Sequence, residues 1–512
     1  MQYVISYDLG TGGLKAGLYR IDGTSEGFIF HPYQTYYPKP DWHEQRPLDW
    51  WDAVCISTRK LIQTSGVDPA CIAAVAASGH SLVSVPIGQH GELLVESVPI
   101  WSDRRAKAEA TEFFAQVDYQ QWYMTTGNGD PPETYAVFKL MWLKKHCLDI
   151  FSKTKSVLGS KDYINYCLTG QVATDYSYAS GSGVFELENW RYSDSFIDAS
   201  GLSHSLFIEP KDSYSLVGRV TPEAAEMCGL CVGTEVICGG VDNSCMALGT
   251  TGIGNGRVYT SLGSSAWIAV SSNKPILDPK KLPFVFAHVE RGYYTSAVSI
   301  FAAANTYRWA KENFCPDLSI DPYNQMNELA AKSPVGANGI MFNPSMAGGS
   351  SQEPSEELQG AFFGLKLSNA RSDILRAILE GVAFSLNLCL KIIDSMIVSN
   401  DTMIICGGGA KSDFWMQIFA DIYNKKIIVA NVDQDAASLG AAAIAIRGAG
   451  FWQDYAPLDT LFQVKKSFDP IAENRDQYST ISKWFLEWIT ALAIIHDNMK
   501  AEKILERMER EQ

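Results

Sequence analysis

Residues 3–7 (YVISY) carry no charge and read as a buried strand that ends at Asp8, where the run DLGTGG opens a glycine-rich turn. A second strand, KAGLYR at 15–20, follows, and Asp22-Gly23 makes a further turn, so the pattern predicts an opening β-meander. The period then lengthens. In 48–64 Trp51, Val54 and Leu61 fall on one helical stripe, and 136–147 repeats the pattern around Leu140 and Leu143. Farther along, helices are expected at 299–312, 372–397, 413–424 and 436–448, with a strand through 403–415 and a Gly/Ser-rich loop at 346–355. A charged, helical tail follows from about residue 470. Strands and helices alternate, which indicates an α/β class.

The middle of the chain repeats its opening. VYTSLGSSAWIAV at 258–270 can be laid beside ISYDLGTGGLKAG at 5–17: an apolar strand, Leu-Gly, two small or hydroxyl residues, then a second apolar strand. Two copies of one strand-turn-strand unit imply two related lobes. The boundary is expected near residue 250, just after GGVDNSCMALG, giving domains 1–250 and 251–512.

At 512 residues the chain exceeds the size at which one core usually stops growing, and 46% hydrophobic with 19% charged residues is ordinary for a globular protein. A net charge of -15 argues against nucleic acid and anionic lipid as partners, since both need a basic footprint. No stretch approaches the ~20 apolar residues of a membrane span. The opening MQYVISYDLG lacks the basic segment and apolar run of a leader, so a cytoplasmic protein acting on a small diffusing substrate is expected. Among the eleven cysteines only Cys228 and Cys231 form a CxxC; without a second pair, free thiols are expected.

A hairpin turn rich in glycine and hydroxyl residues aims successive backbone N–H groups one way and makes a small anion-binding concavity. Gly10, Thr11 and Gly12 have this character, Lys15 is within reach of a phosphate, and Gly263, Ser264 and Ser265 form the second such turn. Asp8 cannot itself favour an anion; it makes sense if Mg²⁺ stands between it and phosphates. No GxxxxGK[ST] occurs, and the first turn leads into a strand rather than a helix, which excludes a P-loop and disfavours a dinucleotide fold. A third cluster, Gly407 to Gly409, follows a strand and suits the approach of a flat ring to backbone.

Asp242 follows the apolar strand VICGG at the junction of the lobes and is either a catalytic carboxylate or a helix cap. Asn243 beside it can hydrogen-bond a substrate hydroxyl. Polar groups set among aromatics, as neutral sugars require, occur at Ser78, Gly79 and His80 and again at Trp101 and Asp103; His80 is either a ligand or a structural histidine, and Asp103 either a ligand or the partner of a nearby Arg.

These residues resemble the FGGY carbohydrate kinase family, and the xylulose kinases within it. The likeness runs through DLGTGGLKAG, WHEQRPLDWW, SGH, IWSDRR, FKLMWL, SKDYINYCLTG, TDYSYASGS, GGVDNS, SLGSS, GAFFGL with DILRAILEG, and GGGAKSDFW, in that order. It implies two actin-like (ribonuclease H-like) domains with a cleft between them, ATP and Mg²⁺, and a small sugar; homodimers are common among such kinases. By position, Asp242 corresponds to the general base, Asp8 to the acid near Mg²⁺, and Thr11 and Ser264 to hydroxyls near the phosphates. Gly408, Gly409 and Asp413 fall in the adenosine-side loop, His80 on the histidine that contacts a ketose, and Asn243 on the polar residue beside the base.

The implied reaction is transfer of the ATP γ-phosphoryl group to a terminal hydroxyl of a ketose, D-xylulose first. The alternatives are L-xylulose, ribulose, a deoxyketohexose, erythritol or glycerol as acceptor, or a noncatalytic actin-like ATP switch. Ser78-Gly79 stands where xylulose kinases usually carry Gln-Met, GGSSQEP at 348–354 where a GERTP-like stretch is common, and Ala136 where Pro, Ser or Thr is usual. The Arg-Glu pair of glycerol kinases is absent. These departures bear on the sugar and leave the phosphotransfer core untouched.

Overall fold

The first strand outlasts its uncharged run. In the computed structural model, which describes residues 1–431 and 435–502, β1 (Tyr3–Gly10) continues through Asp8 and pairs antiparallel with β2 (Gly13–Arg20). Gly10 lies opposite Gly13, so only Thr11 and Gly12 are left for the turn. β3 (Ser25–Pro32) completes the meander against β2. α1 (Pro47–Ser65) begins on a proline, whose missing N–H costs nothing there, and stops at Gly66, whose φ of 68° ends the helix. β4 (Ile72–Gly79) runs parallel to β1. α2 (Ala136–His146) and α3 (Ser160–Thr169) follow, then β5 (Leu216–Arg219) and β6 (Glu235–Val241), which is parallel to β4 and leads directly into α4 (Asp242–Thr251).

The second copy of the hairpin is β7 (Arg257–Leu262) and β8 (Ala266–Ser272). After α5 (Ala304–Phe314) and the long α6 (Arg371–Met396) come β9 (Thr402–Cys406), α7 (Asp413–Tyr423), β10 (Lys426–Ala430), α8 (Ala436–Gly448), β11 (Val464–Phe468) and α9 (Ala472–Ala501). Two expected elements shift. The helix expected at 299–312 begins at Ala304, because Tyr294–Ile300 is strand. The strand expected through 403–415 stops at Cys406, where Gly407 takes a φ of 97°. Residues 503–512 of the expected C-terminal tail lie outside the described residues.

The chain divides into two compact units, and not by a single cut. The first comprises Met1–Asn255, Ser271–Ser296 and Asp435–Phe462; the rest of the described chain forms the second. In the first unit the sheet order is β5-β6-β4-β1-β2-β3. One core packs Tyr7, Leu14 and Leu18 of the hairpin with Trp50, Val54 and Leu61 of α1, Val75 of β4, and Ile164 and Leu168 of α3. Each such side chain contributes ~1.5–3 kcal/mol by burial. α8 returns to cover this sheet: the Ser438 hydroxyl meets that of Ser6 at 2.7 Å, and Gly440 lies where any side chain would run into the Cys245 carbonyl of α4. In the second unit β8, β7, β9, β10 and β11 lie side by side, with β7, β9 and β10 parallel. A hairpin followed by two parallel strands therefore occurs twice, as β2-β1-β4-β6 and β8-β7-β9-β10. Among the described residues no helix is long and apolar enough to cross a membrane, and Cys228 and Cys231 are free thiols.

Candidate active site

Three parallel strands of the first unit end together. Asp8 on β1 and Gly240 on β6 both stand beside Ser78 on β4, so Asp8 near the end of β1, His80 just after β4 and Asp242 just after β6 converge at one edge of the sheet. The carboxyl ends of parallel strands are where α/β sheets place ligands. Gly79 has a packing reason: a Cβ there would stand 2.5 Å from the Ser160 hydroxyl at the start of α3.

Asp242 is the first residue of α4, and the cap position belongs to Val241, which makes no side-chain cap bond. The Asp242 carboxylate instead accepts the backbone N–H of Asn243 at 2.8 Å. Burial raises its pKa to about 7; the Asn243 N–H works against that rise and the neighbouring Asp8 adds to it. Asp8 is itself raised by burial, with the Ser78 hydroxyl and the Lys15 ammonium pulling the other way. Lys15 lies opposite Asp8 on β2, and its ammonium makes an ion pair with Asp435 at 2.9 Å.

His80 is fully buried, packed edge-on against Trp50 and bonded through Nε2 to Gln45 Oε1 at 3.1 Å. Gln45 is saturated. Its Oε1 also accepts from Trp50 Nε1 at 3.0 Å, and its Nε2 donates to the Thr11 carbonyl and the Thr35 hydroxyl, each at 2.8 Å. Because Oε1 only accepts, this network assigns the proton of His80 to Nε2 and leaves Nδ1 as an acceptor, without a partner among the described residues. Burial, aided by the Lys139 cation, lowers His80 to about 4, so it stays neutral near pH 7. Trp101, 46% exposed, donates from Nε1 to the Thr11 hydroxyl at 3.0 Å. The turn and the polar pocket are thus joined at Thr11.

Asp103 does not face this pocket as a free carboxylate. One oxygen accepts the His43 backbone N–H at 2.7 Å, and Arg105 grips both oxygens at 2.7 and 2.9 Å, while the guanidinium lies 3.8 Å over the Trp42 ring. Expected to bind substrate, it instead braces the loop that carries Trp101, because a nearby Arg satisfies it.

In the second unit, the β7–β8 turn is pinned to the start of α5: the Ser264 carbonyl accepts from Ala303 at 2.8 Å and the Gly263 carbonyl from Ala304 at 3.0 Å. The Gly407–Gly409 loop packs onto the end of β7 so closely that a Cβ on Gly409 would stand 2.5 Å from the Leu262 side chain. These two loops wall a cavity of about 540 Å³ with Asn305, Tyr307, Arg308, Tyr323, Asn327 and Trp415. Its volume suits a nucleoside. Ser265 is exposed at the turn tip. Asp413, expected beside adenosine, is not on the cavity wall; it sits at the start of α7, paired with Lys466 of β11 at 2.6 Å.

Family models describing the N-terminal and C-terminal domains of the FGGY family of carbohydrate kinases match residues 3–249 and 258–449. The chain belongs to the FGGY family. It is an ATP-dependent carbohydrate kinase built from two actin-like domains. It is 28% identical to a xylulose kinase of Bacillus subtilis over 94% of this chain and 95% of that one. A gluconokinase of Bacillus licheniformis is 25% identical over 96% of each. The crystal structure of a xylulose kinase from Rhodospirillum rubrum superposes with a TM-score of 0.88 at 25% identity, covering 97% of this chain and all of that one.

Within this FGGY kinase, several contributors escaped sequence reasoning. Gln45 carries no chemical signature of its own, and its importance comes from four partners supplied by folding. Lys139 of α2 ties two pocket loops by donating to the Leu82 and Ile100 carbonyls at 3.0 and 2.6 Å. Asn305 and Arg308 are three apart on α5, a helical spacing that hints at a shared face and nothing more specific.

Proposed function

We propose that this kinase transfers the γ-phosphoryl group of ATP to a terminal hydroxyl of D-xylulose, giving D-xylulose 5-phosphate, with Asp242 as general base. The observation that carries the mechanism is Asp242 itself: a carboxylate at the end of a buried strand, raised to about 7 by burial and by Asp8. A base so tuned is half ionised near neutrality and holds a transferred proton readily. The sugar oxygen attacks phosphorus, the hydroxyl proton passes to Asp242, and ADP leaves with the electrons of the broken P–O bond. Neutral His80 orients a sugar hydroxyl through Nδ1, Asn243 hydrogen-bonds a second, and Trp101 offers its exposed ring. The backbone of Gly10–Gly12 and of Gly263–Ser265 receives phosphate oxygens, and Gly408 and Gly409 admit the adenine ring.

Mg²⁺ fits the first turn. Among the described residues no cluster of three or more His, Cys, Asp or Glu forms a protein cage, whereas a nucleotide-borne Mg²⁺ needs only one or two carboxylates, and Asp8 is available at the strand end. When bound, the ion neutralises charge on the phosphates and holds Asp8 ionised.

The choice of D-xylulose is supported by the relatives named xylulose kinase; Ser78-Gly79 is the local departure from them. Ser78 lies beside Asp8 and Gly79 against α3, so the exchange for Gln-Met alters the walls behind His80. The gluconokinase relatives make an acidic sugar the natural competitor. An ADP-release screen with Mg²⁺-ATP over D-xylulose, L-xylulose, the ribuloses, erythritol, glycerol and gluconate decides between them. D-xylulose should give a kcat/KM at least about tenfold above every other acceptor, about 1.4 kcal/mol of discrimination. A higher value for any other acceptor overturns the assignment.

A further inference from the structure

The last residues of β6, which deliver Asp242, have lost a neighbouring strand. β4 follows β6 to Val241, but β5 pairs with it only as far as Ile237. Buried backbone N–H and C=O groups beyond that point must find partners elsewhere. The N–H groups of Cys238 and Gly239 reach the carbonyls of Ser215 and Ser213, each at 2.9 Å, and the Cys238 carbonyl accepts from Lys161 Nζ at 3.2 Å and Asn165 Nδ2 at 2.8 Å. The N–H of Val241 donates to a side chain, the hydroxyl of Ser177, at 2.9 Å.

That hydroxyl has little freedom. It donates to Asp175 Oδ2 at 2.5 Å, which turns a lone pair toward Val241. Asp175 Oδ2 also accepts from the Ser213 hydroxyl at 2.7 Å, and its Oδ1 lies 3.0 Å from Lys161 Nζ, which in turn lies 2.5 Å from Asp162 Oδ1. Lys161, Asp175 and Ser177 are each 0% exposed. Gly240 leaves the room: a Cβ there would stand 3.2 Å from the Ser177 hydroxyl and 2.5 Å from Val289. Burying such a group of charges costs several kcal/mol per ion before their attraction offsets it, and an apolar cluster of equal volume would pack the sheet at least as well. What an apolar cluster cannot provide is a directed acceptor for the one N–H that immediately precedes the base.

We propose that Ser177, held by Asp175 and Lys161, is a positioning residue for phosphoryl transfer, its hydroxyl setting the Val241–Asp242 junction and so the aim of the base. This rests on Asp242 being the base. A displacement of about 1 Å at such a group costs on the order of 10²-fold in rate.

The test compares Ser177→Ala with Ser213→Ala, using the acceptor selected by the screen. Ser213 bonds the same Asp175 oxygen without touching Val241, so a merely structural network predicts equal losses. Positioning predicts a fall in kcat of about 10- to 100-fold for S177A, with KM for ATP within about twofold and a displaced acid limb in the pH profile of kcat/KM. S213A should lose less than about threefold in kcat, and Ser177→Thr, which keeps the hydroxyl, should restore most of it. Equal losses in S177A and S213A, or a wild-type kcat in S177A, overturn the proposal. If S177A fails to fold by circular dichroism, Ser177→Cys, a poor acceptor of similar volume, takes its place with the same expected loss, and full activity there overturns the proposal equally. Asp242→Asn separates the two readings. Turnover retained in D242N removes the base itself, whereas an inactive D242N beside a normal S177A removes only the role of Ser177.

Discussion

In the first unit β1 runs through Asp8-Leu9-Gly10 into Thr11-Gly12; in the second β7 runs through Ser261-Leu262 and leads by Gly263 into Ser264-Ser265. Each is flanked by a parallel strand in the same register, Asp8 beside Ser78 and Ser261 beside Cys406. At Gly10 and at Gly263 an added Cβ would find its nearest neighbour at 3.5 Å, the carbonyl of Gly13 and of Ser265 respectively. The backbones are alike and the chemistry is not. Where the first turn carries a carboxylate the second carries a hydroxyl, and where the first sheet edge gathers Asp8 and Asp242 the second gathers three consecutive glycines. The shared strand-turn scaffold occurs twice, and one or two side chains near the strand ends are what distinguish the copies.

The largest effect should come from removing Asp242, the proposed base, which has no counterpart among the described residues of the second unit. Asp242→Asn is expected to lower sugar-dependent ADP release about 10³-fold while ATP affinity, read by isothermal titration, changes little. Asp8→Ser rewrites the first turn in the image of the second. It should cost roughly 10²-fold in kcat/KM and shift the Mg²⁺ titration of activity to higher concentration; unchanged Mg²⁺ dependence would break the contrast drawn between the turns.

Proton linkage sharpens the same contrast. Because the base must be ionised, kcat/KM should fall with unit slope as pH drops below about 7, and Asp8→Asn, which removes a charge that raises Asp242, should move that limb to lower pH. Stability runs the other way. The pKa of Asp242 is raised on folding, so the folded chain binds more protons than the unfolded chain between about pH 4 and 7. The contribution of Asp242 is present at low pH and lost as pH rises through about 7. D242N should therefore have a higher Tm than wild type at pH 8 and an equal one near pH 4.

Smaller effects separate glycines that the two units use differently. Gly409→Ala drives a methyl into Leu262 and should weaken ATP binding about tenfold or destabilise the unit by ~1–3 kcal/mol. Gly12→Ala meets nothing within 4 Å and should change ATP KM less than about twofold. The smallest effect is expected for Asp413→Ala, an exposed ion-pair partner away from the cavity, whose ATP KM should stay within measurement error in a steady-state assay.

Features set by neighbours in sequence were legible from the start. Both turns, the strand that ends at Asp242 and the glycine loop after β9 are written in runs of a few contiguous residues, because φ/ψ preference and turn chemistry are local. The helix start expected at 299 failed where Tyr294–Ile300 joined a sheet, since strand pairing overrides a local period.

By itself, then, the sequence determined the two hairpins, the position of Asp242 directly after a strand, and membership in a kinase family. Only the tertiary structure decided which polar groups remain available. Asp103 is claimed by Arg105, and Asp413 by Lys466, 53 residues away. Gln45 gains its importance from His80, 35 residues on, and Ser177 from Val241, 64 residues on. A carboxylate or hydroxyl has the same intrinsic chemistry wherever it falls in the chain. Whether it binds a ligand, braces a loop or aims a base depends on which donor or cation folding brings within about 3 Å.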